Sequence, residues 1–255
     1  MPTTARWKIA GILAMLVLFS SLTLARATQT SRDTEAATLN RPRLIKAFVV
    51  DGRLSALRRE ANAQSEIINR LRLARPVYII ESKRNEGIHS KFCRVAITRR
   101  TRGWILASAL VVPGRTGEDE RVLKLIESAD DEFNRITLCK LFVENFSRSP
   151  LTARVLLRMG EEAERVAATL TGRARRRLGD VDPLDPRLKD YYQNDAGLDR
   201  YSRIRVVFSF DEANGRYVYD GRVYREINRR FPGTEEARIA RKRLEVAGQK
   251  SAHKE

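Results

Sequence analysis

The chain has 255 residues, with 49 lysines and arginines against 32 aspartates and glutamates, and a formal net charge of +17. Its hydrophobic content of 42%, with 14 glycines, 8 prolines and 2 cysteines, excludes a collagen-like chain, a disulfide-dense miniprotein and a disordered polyampholyte. The positive excess favours an anionic partner such as nucleic acid, anionic lipid or an acidic wall polymer. Because it consists of 39 arginines and only 10 lysines, the codon usage of a GC-rich genome accounts for it equally well.

Residues 1–27 have the three parts of a secretory signal peptide. Arg6 and Lys8 give a positive start, residues 9–24 are mainly apolar, and Ala25-Arg26-Ala27 is a small-x-small cleavage site. We expect cleavage after Ala27 and a periplasmic or secreted protein, with an uncleaved inner-membrane signal anchor as the alternative. Export excludes nucleic acid as a partner and leaves an envelope protein, a cell-wall polymer or anionic lipid.

The two cysteines, Cys93 and Cys139, would then lie in a compartment where a disulfide persists. Each has apolar neighbours in the sequence, which is typical of buried thiols. We therefore predict two buried free thiols rather than a bridge.

Short β-branched and aromatic runs, separated by turn residues, follow one another between residues 46 and 112. They lie at 47–50, 77–80, 92–98 and 103–105. Four or five short strands in so few residues predict a small barrel.

Two segments of this region resemble the bacterial SH3-like (SH3b) domain family. Leu57-Arg58, Ser65, Ile67-Ile68 and Leu71 match its first half, and GWILASALV at residues 103–111 follows its closing motif G-W-V-x-S-S-Y-L. The resemblance implies an SH3-like barrel, which in some members binds peptidoglycan or peptides through an aromatic groove. Tyr78 and Trp104 are then the candidate ligand-binding residues. The alternative is that both rings belong to the barrel core.

This sequence departs from the family pattern at two places. Arg59-Glu60-Ala61 replaces its Ser-Gly-Pro turn, and Ala109 replaces its exposed tyrosine. In the closing motif we expect Gly103 to permit a turn and Trp104 to fill the core.

From residue 118 onward the apolar positions recur every three or four residues, which predicts helices. The spacing predicts one helix over 122–146 and, after Ser149 as N-cap and Pro150, a second over 151–170. Residues 118–179 are therefore expected to form an antiparallel helical hairpin.

A second copy of this hairpin is predicted at 220–247, with Asp220 as N-cap of its first helix. Phe146, Ser149 and Thr152 correspond to Phe231, Thr234 and Ala237, and Val155 and Met159 to Ala240 and Leu244. The pattern resembles the tetratricopeptide-type repeats of bacterial envelope proteins, here interrupted by an insertion. A generic capped helical hairpin is the alternative.

Residues 203–219 alternate apolar and polar side chains around Asn214-Gly215 and predict a β-hairpin within the insertion. The fold class is thus multi-domain β plus α. Its predicted parts are a signal peptide (1–27), a flexible tether (28–45), an SH3-like barrel (46–112), a hinge (113–117), a helical hairpin (118–179), a linker (180–202), a β-hairpin (203–219), a second helical hairpin (220–247) and a tail (248–255).

The strongest basic run consists of Arg173, Arg175, Arg176 and Arg177. It is the candidate anion-binding patch. Cations at the end of a helix also stabilise it through the dipole, which is the alternative interpretation.

The sequence assembles no catalytic or metal site. His89 and His253 are the only histidines, one in a loop and one in the tail, so nucleophile activation at Cys139 has no base. The acid pair Glu161-Glu162 is expected on a solvated helix face. No cofactor is expected.

These observations predict an exported, non-enzymatic envelope binding or scaffolding protein, in which helix faces make the protein–protein contacts. The alternatives are direct binding of peptidoglycan by the SH3-like barrel and a non-catalytic subunit of an envelope enzyme.

Overall fold

The computed structural model describes residues 44–84, 91–179, 190–192 and 195–252. The predicted signal peptide and most of the tether lie outside this range, as do most of the 180–202 linker and the end of the tail. Residues Ile45–Glu255 form one compact unit.

Nine strands and six α-helices have both ends within the described residues, and residues 190–192 are also helical. The fold is thus a mixture of antiparallel β-structure and α-helices. The strands are β1 (Ile45–Val49), β2 (Ala56–Arg58), β3 (Ile67–Arg70), β4 (Pro76–Arg84), β5 (Lys91–Ala96), β6 (Arg102–Leu106), β7 (Leu110–Val111), β8 (Phe208–Asp211) and β9 (Arg216–Tyr219). The helices are α1 (Glu118–Glu127), α2 (Glu132–Asn145), α3 (Thr152–Leu178), α4 (Ala196–Arg203), α5 (Arg222–Arg230) and α6 (Glu235–Ala252), and a 3-10 turn spans Ala107–Ala109.

The first seven strands form one antiparallel sheet in the order β3-β2-β6-β5-β4-β1-β7. Its register places Ile79 opposite Val95 and Cys93 opposite Ile105, so one face carries the buried apolar side chains of the sheet core. Among the described residues the two edge strands, β3 and β7, do not pair with each other. The sheet is therefore not closed into the barrel expected from the sequence.

Gly103 lies inside β6 and not at the turn expected from the sequence. A Cβ at this position would be 2.7 Å from the carbonyl oxygen of Arg58 and 2.8 Å from Cγ of Leu57. The missing side chain thus lets β2 approach β6 closely, which is the physical reason for glycine here.

The single helix predicted over 122–146 is in fact two helices. The first ends at Glu127, with Ser128 as its C-cap, and the second begins at Glu132. The Asp131 carboxylate accepts a hydrogen bond from the Asn134 N–H at 3.0 Å and starts α2. Capping of this kind satisfies an N–H that would otherwise lack a partner, and the apolar periodicity alone does not reveal the break.

Four other boundaries differ from the predictions. Helix α3 begins at Thr152, and its N-cap is Leu151 rather than Ser149. Helix α4 occupies part of the predicted linker, where Asp195 caps it by accepting from the Gly197 N–H at 2.6 Å. The predicted 203–219 hairpin begins only at Phe208. Gly221, one residue beyond Asp220, is the N-cap of α5.

The sheet and the helices share a core across the predicted hinge. Phe48, Val50 and Val111 pack in the same cluster as the buried side chains of α1, α2 and α3. Arg121 of α1 donates to the carbonyl oxygens of Leu110, at 2.8 Å, and of Ser108. These contacts hold α1 against the end of the sheet.

Both cysteines are buried and free, which confirms the prediction. Cys93 lies in the sheet core and Cys139 in the helical core. None of the helices in the described ranges combines the length and apolar character that a bilayer crossing requires.

Candidate binding groove

The inserted strands β8 and β9 form a two-stranded ribbon with two different faces. One face carries Phe208, Phe210, Tyr217 and Tyr219, all in the helical core. The opposite face carries Ser209, Asp211, Arg216 and Val218, because side chains alternate along a strand. The ribbon therefore covers the helices on one side and presents mixed polar and apolar groups on the other.

Aromatic contacts and hydrogen bonds fix the ribbon on the helices. The rings of Tyr192 and Phe210 stack with centroids 3.9 Å apart, and the Tyr217 hydroxyl donates to the Tyr192 carbonyl oxygen at 2.7 Å. The Tyr217 N–H donates to Oγ1 of Thr171 on α3 at 2.9 Å. Burial raises the pKa of Tyr217 well above its usual range, so this hydroxyl stays protonated and keeps its donor role.

A groove of about 790 Å³ lies between α3, the ribbon and α6. We call it the ribbon groove. Its α3 wall combines small side chains with one acid and one arginine, and charged, aliphatic and aromatic side chains form the rest. The lining residues are Glu164, Ala167, Ala168, Thr171, Gly172, Arg175, Ser209, Asp211, Arg216, Tyr217, Val218, Tyr219, Arg243 and Val246.

Three arginines of the ribbon groove are held in place by different partners. Arg216 pairs with Asp211 at 3.3 Å, and Arg243 of α6 pairs with Glu164 of α3 at 3.2 Å. Arg175 donates to the carbonyl oxygens of Asn214 and Gly215 in the ribbon turn, both at 3.4 Å. Within the described ranges no carboxylate lies within ion-pair distance of Arg175.

The four arginines of the predicted anion-binding patch do not lie together on one surface. Arg175 lines the ribbon groove, whereas Arg177 lies 3.4 Å from Asp195. Arg173 and Arg176 are exposed outside the groove lining, and Ala174 between them is buried. Consecutive residues of a helix project about 100° apart, so a run of this kind cannot face one side.

Tyr78 and Trp104 lie on strands β4 and β6, which β5 separates. The Tyr78 side chain is 41% exposed, and its position is paired with Lys46. Trp104 is only 9% exposed and stands opposite Arg58 and Arg94 in the register. Of the two aromatic residues predicted to bind a ligand, only Tyr78 has a ring that is exposed to solvent.

A buried charge cluster at Glu162 was missed from the sequence. Glu162 of α3 is fully buried, and its Oε1 lies 2.9 Å from Arg135, 3.4 Å from Arg158 and 2.7 Å from Arg165. The expectation of a solvated face was therefore wrong for Glu162, although Glu161 is partly exposed. The signal was present in the i+4 and i+3 spacing of Arg158, Glu162 and Arg165 on one helix face.

The same cluster lies near Cys139. Burial, and then the charge of Glu162, raise the pKa of the Cys139 thiol to about 12. The thiol is thus protonated at neutral pH and a poor nucleophile. In the described part of the chain, His, Cys, Asp and Glu side chains form no group that could hold a metal ion; His89 and His253 lie outside it.

No protein-family model, no curated protein and no solved structure matches this chain. The function must therefore be argued from the groove and from the architecture that builds it.

Proposed function

We propose that the protein is an exported, non-enzymatic adaptor of the cell envelope that binds a partner protein through its helices and inserted ribbon. The observation that carries this proposal is the ribbon groove, a preformed cleft with charged, aliphatic and aromatic walls. Concave sites with a few placed polar groups are typical of binding sites.

The two helical hairpins support a tetratricopeptide-like module because their turns have the same hydrogen bonds. The Ser149 N–H donates to the Phe146 carbonyl oxygen at 2.9 Å, and the Thr234 N–H donates to that of Phe231 at 3.1 Å. The next aligned positions are buried in both copies; they are Thr152 and Ala237, and Val155 and Ala240. We propose that α2–α3 and α5–α6 are two such units, separated by the ribbon insertion.

The order of elements in the sheet supports an SH3-like domain of open form. Strands β4, β5 and β6 follow one another as antiparallel neighbours, and the turn Ala107–Ala109 precedes β7, which pairs with β1. The GWILASALV motif supplies this closing turn. We propose that the sheet is a divergent SH3-like domain fused to the helices.

Export is proposed from the signal peptide at residues 1–27. N-terminal sequencing of the protein recovered from the periplasm or medium tests it. A first residue of Thr28 is expected, whereas a chain retaining Arg6 and Lys8 in the membrane fraction would show the signal anchor instead.

Direct binding of cell-wall polymer by the sheet is a second candidate, favoured by the exposed ring of Tyr78 beside Lys46. Sedimentation with purified peptidoglycan tests it through Tyr78→Ala, since this exposed side chain can be removed without a cavity. Wild-type protein should then pellet and the variant should not. Equal pelleting of both removes the candidate.

Partner capture tests the adaptor function. Affinity purification from envelope extracts would use the wild type, Ala168→Trp and Ser202→Trp as baits. Ala168 is exposed and lines the ribbon groove, so its replacement fills the groove. Ser202 is exposed on α4 outside the groove lining and serves as the matched control.

A specific protein should be recovered with the wild type and with Ser202→Trp, and lost with Ala168→Trp. Such a partner could be an envelope enzyme, which would make this chain its non-catalytic subunit. Recovery that is equal for all three baits contradicts a role for the groove.

A further inference from the structure

We infer that the ribbon groove binds an extended acidic polypeptide segment that carries aliphatic side chains between its carboxylates. This inference rests on the proposed adaptor function and names the chemical class of its partner.

The charge of the groove favours an acidic ligand. Its lining has three arginines against two acids, and each acid is already paired with Arg216 or Arg243. The third arginine, Arg175, has no acid partner among the described residues and donates only to carbonyl oxygens. A carboxylate that reached Arg175 would form a charge-assisted hydrogen bond, which is stronger than the two long bonds to the turn.

The apolar part of the lining favours a polypeptide over a polymer recognised by charge alone. Val246 of α6 is 43% exposed, and Val218 faces the groove from β9. Ala167, Ala168 and Gly172 of α3 have a small side chain or none, so an extended backbone can come close to the helix at these positions. Alternating aliphatic and acidic side chains would bury the valines and reach the arginines together.

The positions of the neighbouring arginines on α3 also favour a peptide ligand. Arg173 and Arg176 are exposed on the same helix but outside the groove lining. A polyanion attracted only by charge would engage them as readily as Arg175. Of Arg173, Arg175 and Arg176, a peptide seated in the groove contacts only Arg175. This difference makes the two ligand classes separable.

Fluorescence anisotropy at about 0.15 M salt, where surface charges are screened beyond about 8 Å, provides the test. The probe is a short labelled peptide of alternating glutamate and valine. The comparison probes are a glutamate–serine peptide, a lysine–valine peptide and heparin. The key variant is Arg175→Glu, and Arg176→Glu carries the same charge change on the same helix as its matched control. Circular dichroism checks that both are folded, and Val246→Ser is a second variant that leaves the charge unchanged.

The glutamate–valine peptide should bind best, with affinity at least about tenfold lower for Arg175→Glu and at most about twofold lower for Arg176→Glu, because only Arg175 lines the groove and contacts a bound carboxylate directly. Val246→Ser should also weaken it. The inference is overturned if that peptide does not bind, if the glutamate–serine peptide or heparin binds as tightly, or if both arginine variants behave alike. A partner captured by wild type and lost with Ala168→Trp, but retained by Arg175→Glu, would overturn this inference and leave the adaptor function standing.

Discussion

The ring of Tyr224 on α5 lies against Gly160 on α3. A Cβ at position 160 would be 2.7 Å from Tyr224 Cζ, and the tyrosine is almost completely buried. The first helical hairpin therefore meets the second at a position that has no side chain.

Replacement of Gly160 by alanine should destabilise the protein although alanine favours a helix. The gain in helix propensity is about 1 kcal/mol, but overpacking of a buried contact costs about 1–3 kcal/mol. Urea unfolding should give a net loss of up to about 2 kcal/mol. Gly172→Ala on the same helix is the control, because its Cβ would meet only the end of Arg176 at 3.5 Å; it should be neutral or stabilising. Equal stability of the two variants would contradict the observed crossing.

Replacement of Glu162 by glutamine should be strongly destabilising. It leaves Arg135, Arg158 and Arg165 without their shared carboxylate, and breaking a buried ion pair costs about 3–5 kcal/mol. We expect about 3 kcal/mol because Arg158 and Arg165 are partly in water. Glu161→Gln, one residue earlier and partly exposed, should change the free energy of unfolding by less than about 0.5 kcal/mol. A small effect at Glu162 would show that the cluster is not a structural centre.

The Ser149 hydroxyl donates to Asp119 at 2.7 Å, and this bond lowers the pKa of Asp119 below its ordinary value of 3.8. The stabilisation is present above the unfolded pKa and is lost as the pH falls through the folded pKa. Ser149→Ala should therefore cost about 1 kcal/mol at neutral pH and less at pH 3.

Thr234→Ala is the matched control for Ser149→Ala, since the Thr234 hydroxyl bonds only backbone groups of Phe231 and Ala237. Its cost should be similar at both pH values. Urea unfolding at pH 7 and pH 3 distinguishes the two. If the loss in unfolding free energy for Ser149→Ala is also the same at both pH values, the hydrogen bond to Asp119 does not contribute to stability.

The Cys139 thiol should not react in the folded protein. With its pKa raised to about 12 and its side chain fully buried, it presents neither a thiolate nor access to a reagent at pH 8. In the Cys93→Ser variant, a disulfide reagent such as DTNB should label Cys139 only as fast as the protein unfolds, and at once in urea. Rapid labelling of the native variant would contradict the burial.

Local patterns predicted the strands and helices because these follow from side-chain periodicity. The β-branched runs around Val77 and Phe92 are strands, and the aligned turns at Phe146 and Phe231 have the same hydrogen bonds. The break before Asp131 was missed because this one capping side chain starts a new helix inside an apolar pattern that continues without interruption.

The groove could not be predicted, since it arises from contacts between distant segments. Arg175 appeared in a basic run, but only the docking of the ribbon on Thr171 brings it beside Arg216 and Val218. Burial of Glu162 likewise depends on α2, which supplies Arg135. Tertiary packing determines such features. The sequence alone shows only which side chains share a face of one helix, not which distant segment packs against that face.

Site-specific photo-crosslinking in cells tests the central claim, that the ribbon groove holds a partner protein, most directly. A photoreactive benzoylphenylalanine replaces Ser209 inside the groove or Ser202 outside it, both in the exported full chain. From the proposed adaptor function we expect one discrete crosslinked protein for position 209 and none for position 202. The same pattern at both positions, or no product at 209 from a folded and exported protein, would contradict the account.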